Sequence, residues 1–404
     1  MNFDFDTMLE RRGFDALAVE AVGDSVDWAV VPSLPRKGFD VIPMWVADMN
    51  FATAPSIIER IIKRAQHPAF GYFKISDEYY QAIIDWHADR KDVHDITSKE
   101  IGYENGVLGC VATAIRTYTK PGDRILLHSP TYIGFSHTLA DTGRIAELSP
   151  LYHDDKGIWR MDYEDMDRRI KEHHIRLAIF CSPHNPCGRV WEREEIEKAM
   201  DVYRRNDCIV VSDEIWSDIL LDGHRHIPTQ SVSEDARQRT IGVYAPSKTF
   251  NLAGLVGSYH IIYNEEIREK TGAVSAATHY NDMNVLSMHA LTGAYSEQGR
   301  QWTDELCRVL SRNITDAYDI IRKDFGGVSV SKPQGTYMMF LHCEEYCKAR
   351  GITIDDLINA GWDVGVAWQQ GQPFHDPWGI RMNFAVPHAK AMEAMERLKK
   401  YVFL

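Results

Sequence analysis

The sequence predicts an α/β fold organised around a largely parallel sheet, and three observations carry that expectation. Short apolar runs alternate with amphipathic helical patterns through the middle of the chain, the order that builds parallel strands joined by crossover helices. Pro130, Asn185, Asp213 and Lys248 each sit just past the end of an apolar run, and open α/β sheets bind ligands beyond the carboxyl ends of their strands. The chain has 404 residues, 44% of them apolar and 25% charged. That is enough for a large domain plus a smaller one, with a core that needs neither disulfide nor metal to hold it.

The elements follow in order. Residues 1–50 read as an irregular arm containing Pro32, Pro35 and Pro43 and closing in the apolar phrase MWVADMNF. From Ala54, PSIIERIIKRAQ repeats apolar residues at helical spacing, with Pro55 in the first turn, a position that tolerates proline. DEYYQAIIDWHADR predicts a second amphipathic helix. ENGVLGCVATAIRTYTK predicts a glycine turn that opens a helix ending before Pro121-Gly122. Five apolar runs then predict strands: RILLHSP (124–130), RLAIFCSPHNP (176–186), CIVVSDE (208–214), TIGVYAPSK (240–248) and GSYHIIYN (257–264). REEIEKAMDVYRRN (193–206) is a helical pattern between two of them. From about residue 290 long helices take over, beginning with QWTDELCRVLSRNITDAYDIIRKDF and closing with HAKAMEAMERLKKYVFL. The expected division is a large domain over 51–289, with 1–50 and 290–404 forming the arm and a small α/β domain.

Composition excludes several function classes. A formal net charge of -13 argues against a nucleic-acid or anionic-membrane surface as the main partner, and there is no helix-turn-helix motif or basic patch. The cysteines number seven, an odd count, and several lie inside apolar runs. That pattern suits buried, reduced thiols in a cytoplasmic protein. MNFDFDTMLERRGFDAL lacks the basic-then-apolar order of a signal peptide. No apolar run is long enough to span a membrane. Cys181, His184 and Cys187 have close spacing but no evident fourth ligand, so no metal is expected. The polar HRH at 224–226 reads as a solvated loop.

Four segments carry the chemistry: PTYIGF (130–135), SPHNPCGRV (182–190), SDEIW (212–216) and APSKTFNLAGL (245–255). In this order and spacing they resemble the fold-type I enzymes of the aminotransferase class I/II superfamily, which depend on pyridoxal 5′-phosphate (PLP). The resemblance covers nearly the whole chain and implies the fold-type I PLP-dependent transferase architecture. It implies that Lys248 holds the cofactor as a Schiff base and serves as the catalytic base; a lysine is otherwise most often a solvated surface residue. Asp213 corresponds to the carboxylate that keeps the pyridine nitrogen protonated, the competing reading being a helix N-cap. Asn185 resembles the asparagine that bonds the ring oxygen of the cofactor, against simple turn formation before Pro186. Tyr132 is implied to stack on the pyridine, unless it is a core aromatic.

The turn at Gly106, Val107 and Leu108, with Ser247, is implied to bind the phosphate through backbone N–H groups and a hydroxyl. Tyr72, in FGYF, matches a tyrosine that reaches the phosphate of a neighbouring subunit, which implies a homodimer. Arg381, in IRMNFAVP, matches the arginine that clamps the substrate α-carboxylate, a planar fork suited to that group. Ala47 and Asn185 are expected beside the same carboxylate.

MWVADMNF further resembles the MalY/PatB-type cystathionine β-lyases. So does Val256, which stands where many aminotransferases carry a phosphate-binding arginine, as does Ala245 in place of a common serine. Trp216 departs from the pattern, because relatives carry a phenol or imidazole there and an indole donates but cannot accept a hydrogen bond. The implied activity is PLP-dependent β-cleavage of cystathionine or a related cysteine S-conjugate to a thiol, pyruvate and ammonia. The alternatives are an aminotransferase on the same scaffold, or a regulator that acts through protein contacts.

Overall fold

A computed structural model describes residues 3–24, 26 and 30–403. Its centre is a seven-stranded sheet of β1 (Ile101–Asn105), β2 (Arg124–Ser129), β3 (Ile145–Pro150), β4 (Leu177–Cys181), β5 (Ile209–Asp213), β6 (Thr240–Tyr244) and β7 (Gly257–Ile261). The spatial order is β1-β7-β6-β5-β4-β2-β3. The pairs from β3 across to β6 are parallel, whereas β7 runs antiparallel to both its neighbours. All five apolar runs form strands of this sheet, and the two edge strands β1 and β3 are additions to them.

Both faces of the sheet are covered, which is why its central strands are apolar along their length rather than alternating. On one side Ile179 and Val211 pack against Val111 and Ile115. On the other, Ala178, Phe180 and Val210 pack against Met166, Ile170 and Ile196. Successive residues of a strand point to opposite faces, so β4 feeds both cores at once.

The helices start and stop where their ends can be satisfied. After α1 (Pro55–Ala65), with proline in its first turn, α2 (Asp77–Lys91) is capped by Ser76, whose side chain accepts from the Tyr79 N–H. α3 (Val107–Tyr118) follows β1, and its N-cap, Gly106, provides no side-chain cap. α4 (Ile133–Asp141) and α5 (Tyr163–His173) follow. α6 (Arg193–Arg205) begins with a reciprocal pair of Glu192 and Glu195, which satisfies two end donors. Beyond α7 (Glu297–Asp324), a four-stranded antiparallel sheet is formed by β8 (Ser329–Val330), β9 (Met338–His342), β10 (Gln369–Gln370) and β11 (Gly379–Asn383), in the order β8-β9-β11-β10. α8 (His388–Tyr401) closes the chain. The arm is tied down through Ile42–Pro43, which pair in parallel with Val366–Ala367. All seven cysteines are free. Among the described residues no helix is long and apolar enough to cross a membrane.

One expectation is corrected. HRH at 224–226 is not uniformly solvated: His226 is only 6% exposed, and its Nε2 lies 2.6 Å from a carboxylate oxygen of Glu214. Glu214 is fully buried and also accepts from the Ser212 hydroxyl at 2.9 Å and the Thr229 N–H at 3.0 Å. Burial alone pushes this carboxyl up, but His226 and the other donors reverse that and hold it below the usual range. The partner residue lies far enough along the chain that the polar run alone did not reveal it. His226→Ala leaves a buried carboxylate without its main partner and is expected to cost about 3–5 kcal/mol of stability. Urea unfolding measures this; a loss of less than about 1 kcal/mol, the scale of a surface pair, contradicts it.

Candidate active site

Because β2, β4, β5 and β6 are parallel, their carboxyl ends open on one edge of the sheet, and the loops that follow them converge there. Register makes the convergence specific. Cys181 at the end of β4 lies opposite Asp213 at the end of β5, and Asp213 lies opposite Val243 on β6. The Asp213 carbonyl accepts from Ser182 N–H at 2.9 Å, and Glu214 N–H donates to the Val243 carbonyl at 2.9 Å.

A cavity of about 300 Å³ occupies this edge. Asp213, Asn185 and Trp216 line it from one side, Lys248 and Ser247 from another, and Gly106, Val107, Leu108 and Tyr132 from the helix ends. Ala47 enters from the arm. Ten residues separated widely in sequence therefore meet, as the motif reading expects. Arg381 stands one hydrogen bond away: its Nη1 donates to Asn185 Oδ1 at 3.1 Å. Tyr72 is fully exposed and does not line the cavity.

Asp213 is 4% exposed. Burial pushes its carboxyl up to about 7, although the Ile215 N–H, 3.1 Å from Oδ1, and Lys248 both favour the charged form. The N-cap alternative fails, because turns rather than a helix follow β5. Lys248 donates from Nζ to the Ala47 carbonyl at 2.9 Å. Its ammonium is pulled down to about 8, chiefly by burial and then by Arg381, while Asp48 and Asp213 oppose the shift. Trp216 is 2% exposed; Nζ of Lys248 lies 5.8 Å from its ring centre, and Tyr337 meets the indole edge-on at 4.7 Å. The indole therefore both faces the cavity and packs into the core.

Arg381 is also buried, at 4% exposure. Nη2 donates to the Trp45 carbonyl at 3.1 Å and to Gln369 Oε1 at 2.6 Å. Phe374 lies under the guanidinium, 4.6 Å from ring centre to carbon. Burial lowers the group to about 10, and its Nε, also buried, has no partner among the described residues. A guanidinium surrounded by neutral acceptors and holding a donor unused is poised for an anion.

The turn into α3 adds a second anion-seeking feature. Gly106 has φ 84°, in the region that glycine enters without strain. The first N–H groups of a helix have no intrahelical acceptor and carry its positive dipole end. Asn105, the residue before the turn, is fixed by its N–H donating to Asn281 Oδ1 at 2.8 Å.

Sequence reasoning missed several supports. The Tyr337 hydroxyl donates to the Ala47 carbonyl at 2.9 Å, so it shares the acceptor of Lys248. Asp48, paired with Arg11 at 2.5 Å, ties the arm beside the same loop. Asp48 lies inside MWVADMNF and could have been read from it, but nothing near Tyr337 or Gln369 in sequence marks them.

The sequence model of the family described as Aminotransferase class I and II matches residues 40–398. The chain belongs to that family. It is 34% identical to cystathionine beta-lyase PatB of Bacillus subtilis over 399 residues, 98% of this chain and 99% of the relative. To Protein MalY of Escherichia coli it is 30% identical over 403 residues, 96% of each. The crystal structure of the PLP-bound C-S lyase from Staphylococcus hominis superposes with a TM-score of 0.89 at 27% identity, covering 100% of this chain and 99% of that one.

The lowered Lys248 ammonium makes a direct prediction. Its amine attacks a carbonyl only when neutral, so in the protein without cofactor its condensation with an added aldehyde should quicken as pH rises through about 8. Stopped-flow absorbance at stepped pH measures the rate. A rate that is flat up to the range of an ordinary lysine, about 10.4, contradicts the assignment.

Proposed function

We propose that the chain is a PLP-dependent carbon–sulfur β-lyase that cleaves cystathionine or a related cysteine S-conjugate to a thiol, pyruvate and ammonia. The observation that carries this reading is the meeting of Lys248 and Asp213 in one cavity. It occurs in a chain similar over nearly its full length to a cystathionine beta-lyase.

The residues fit the cofactor. The cavity offers an amine, a carboxyl group and the uncapped N-terminus of α3 for an aldehyde, a ring nitrogen and a phosphate respectively. When bound, PLP supplies a carbonyl carbon for amines and a ring that withdraws electrons from the substrate α-carbon. Lys248 would be the anchoring amine, and its Nζ the base that takes the substrate α-proton. A value near 8 leaves a substantial neutral fraction at neutral to mildly alkaline pH, which is what a general base needs. Asp213, nearly balanced between its two forms at about 7, would be driven to the carboxylate by a cationic ring nitrogen and would stabilise that cation in return.

The N–H groups at Gly106, Val107 and Leu108, with the Ser247 hydroxyl, would hold the phosphate. Asn185 would serve the ring oxygen and Tyr132 the ring, while Trp216 lines the wall with a hydrogen-bond donor only. Arg381 clamps the substrate α-carboxylate, with its spare Nε and the nearby Asn185 and Ala47 fixing the approach.

The working unit in this reading is a homodimer, with Tyr72 reaching the phosphate of the partner. Tyr72 is exposed, as are Ile58, Ile62 and Phe70 in the same stretch of the chain, and exposed apolar side chains are what a second protein can cover. The reading also keeps the division into 51–289 against 1–50 with 290–404, supported by the two separate sheets, and a cytoplasmic location, supported by the free cysteines.

Incubating the purified holoenzyme with cystathionine and no keto acid tests the reaction. Continuous release of pyruvate and thiol is expected, with Lys248→Ala slower by at least about a hundredfold, the lower end for loss of an acid–base group. Turnover that requires a keto acid, and yields no pyruvate without one, contradicts lyase chemistry in favour of transamination.

A further inference from the structure

A second cavity, of about 290 Å³, opens where the large sheet's loops meet the small sheet. Its walls come from the hairpin that pairs Tyr152–His153 with Trp159–Arg160, from the turn just after Asn185, from the end of α7 and from the 330–334 segment. In a chain of net charge -13, its lining carries Lys156, Arg189, Arg322 and Lys332 against a single carboxylate, Asp222. Two of the four cations are already engaged. Lys332 pairs with Asp222 at 2.7 Å, and Arg189 pairs with Glu192 and Glu195. The side-chain charges of Lys156 and Arg322 have no ion-pair partner among the described residues. The two face one hollow from different parts of the fold.

We propose that this hollow binds a small anion carrying two or more negative charges, of polycarboxylate or phosphate chemistry, bridged between Lys156 and Arg322. Like charges converging on a concave surface focus potential inward and raise the local concentration of counter-ions. The hollow is concave and, at about 290 Å³, of metabolite size, which favours a small ligand over a strand of nucleic acid or a membrane surface.

The cavity is coupled by contact to the candidate active site. Gln334, in its wall, donates from N–H to the Gly188 carbonyl at 2.8 Å and accepts at Oε1 from Arg189 and from the Val190 N–H. Gly188 is pressed so closely on Pro333 that an added Cβ would lie 2.6 Å from it. Gly188 N–H in turn donates to the His184 carbonyl at 2.7 Å. Asn185, which accepts from Arg381, sits inside that same turn. The Lys156 hairpin is tied to the same wall segment by the Ser331 hydroxyl, which donates to the Gly157 carbonyl at 2.6 Å, so an anion held by Lys156 bears on the segment that supports the turn presenting Asn185. This coupling rests on the lyase reading; the binding does not.

The test uses holoenzyme at ionic strength held constant with potassium chloride. Citrate and pyrophosphate are titrated separately by calorimetry, into the natural chain and into a Lys156→Ala/Arg322→Ala variant. Both replaced side chains are exposed and lie outside the candidate active site, so the variant should fold and turn over normally without anion. Expected is saturable binding of at least one anion by the natural chain, weaker by about tenfold or more in the variant. The arm that binds tells a carboxylate ligand from a phosphate one. A shift in KM for cystathionine of about fivefold at saturating anion, absent in the variant, is the expected sign of coupling. Failure of both anions to bind, or equal affinity in the variant, overturns the site. Binding with an unchanged KM overturns the coupling, and loss of pyruvate formation without anion bears only on the lyase reading.

Discussion

The constraint on which the rest depends is the burial of an amine and a carboxyl group in one cavity without a direct bond between them. Each is pushed toward neutrality by loss of water: Lys248 down to about 8 and Asp213 up to about 7. Had they paired directly, each would have fixed the other's charge, and neither would be free for a ligand. The amine is held instead by the Ala47 carbonyl, a neutral acceptor that positions it without raising its proton affinity as a carboxylate would. Asp213 is held by a backbone N–H. A cofactor that brings both an electrophilic carbon and a basic ring nitrogen relieves both groups together.

Holding such a pair apart takes a rigid frame, and the parallel sheet provides it. The register that sets Cys181 opposite Asp213 fixes where the carboxyl group sits. Both faces of β4 and β5 are packed, so neither strand can slide. The antiparallel β7 serves a different purpose. By pairing Gly257 with Asn105, it brings the segment at Val256 against the turn at Gly106, where a Cβ on the glycine would lie 3.5 Å from Val256. The small sheet contributes Arg381 from β11, and the arm contributes Ala47. The site is thus complete only when three separate stretches of chain fold together, with Arg381 joined to the cavity through Asn185.

The sequence exposed the strands buried on both faces and hid the ones at the edges. LAIFC and IVV are continuous apolar runs because nearly all their side chains meet a core. IGYEN and IAELSP, which form β1 and β3, are partly solvated and carry no such run. The motif residues were legible because each follows a parallel strand in a short turn, where local sequence and site position coincide. Arg381 was legible only through its resemblance to a family pattern, since nothing in IRMNF reveals the three acceptors that surround it. Tyr337, Gln369 and the burial of His226 were not legible at all, because their partners lie far away in sequence and appear only once the sheets have assembled.

The most direct measurement is borohydride reduction of the PLP-loaded protein followed by peptide mapping in a mass spectrometer. The account predicts a pyridoxyl adduct on the peptide containing Lys248, in stoichiometric yield. An adduct confined to another lysine, or a loaded protein that takes up no reducible cofactor, would contradict it.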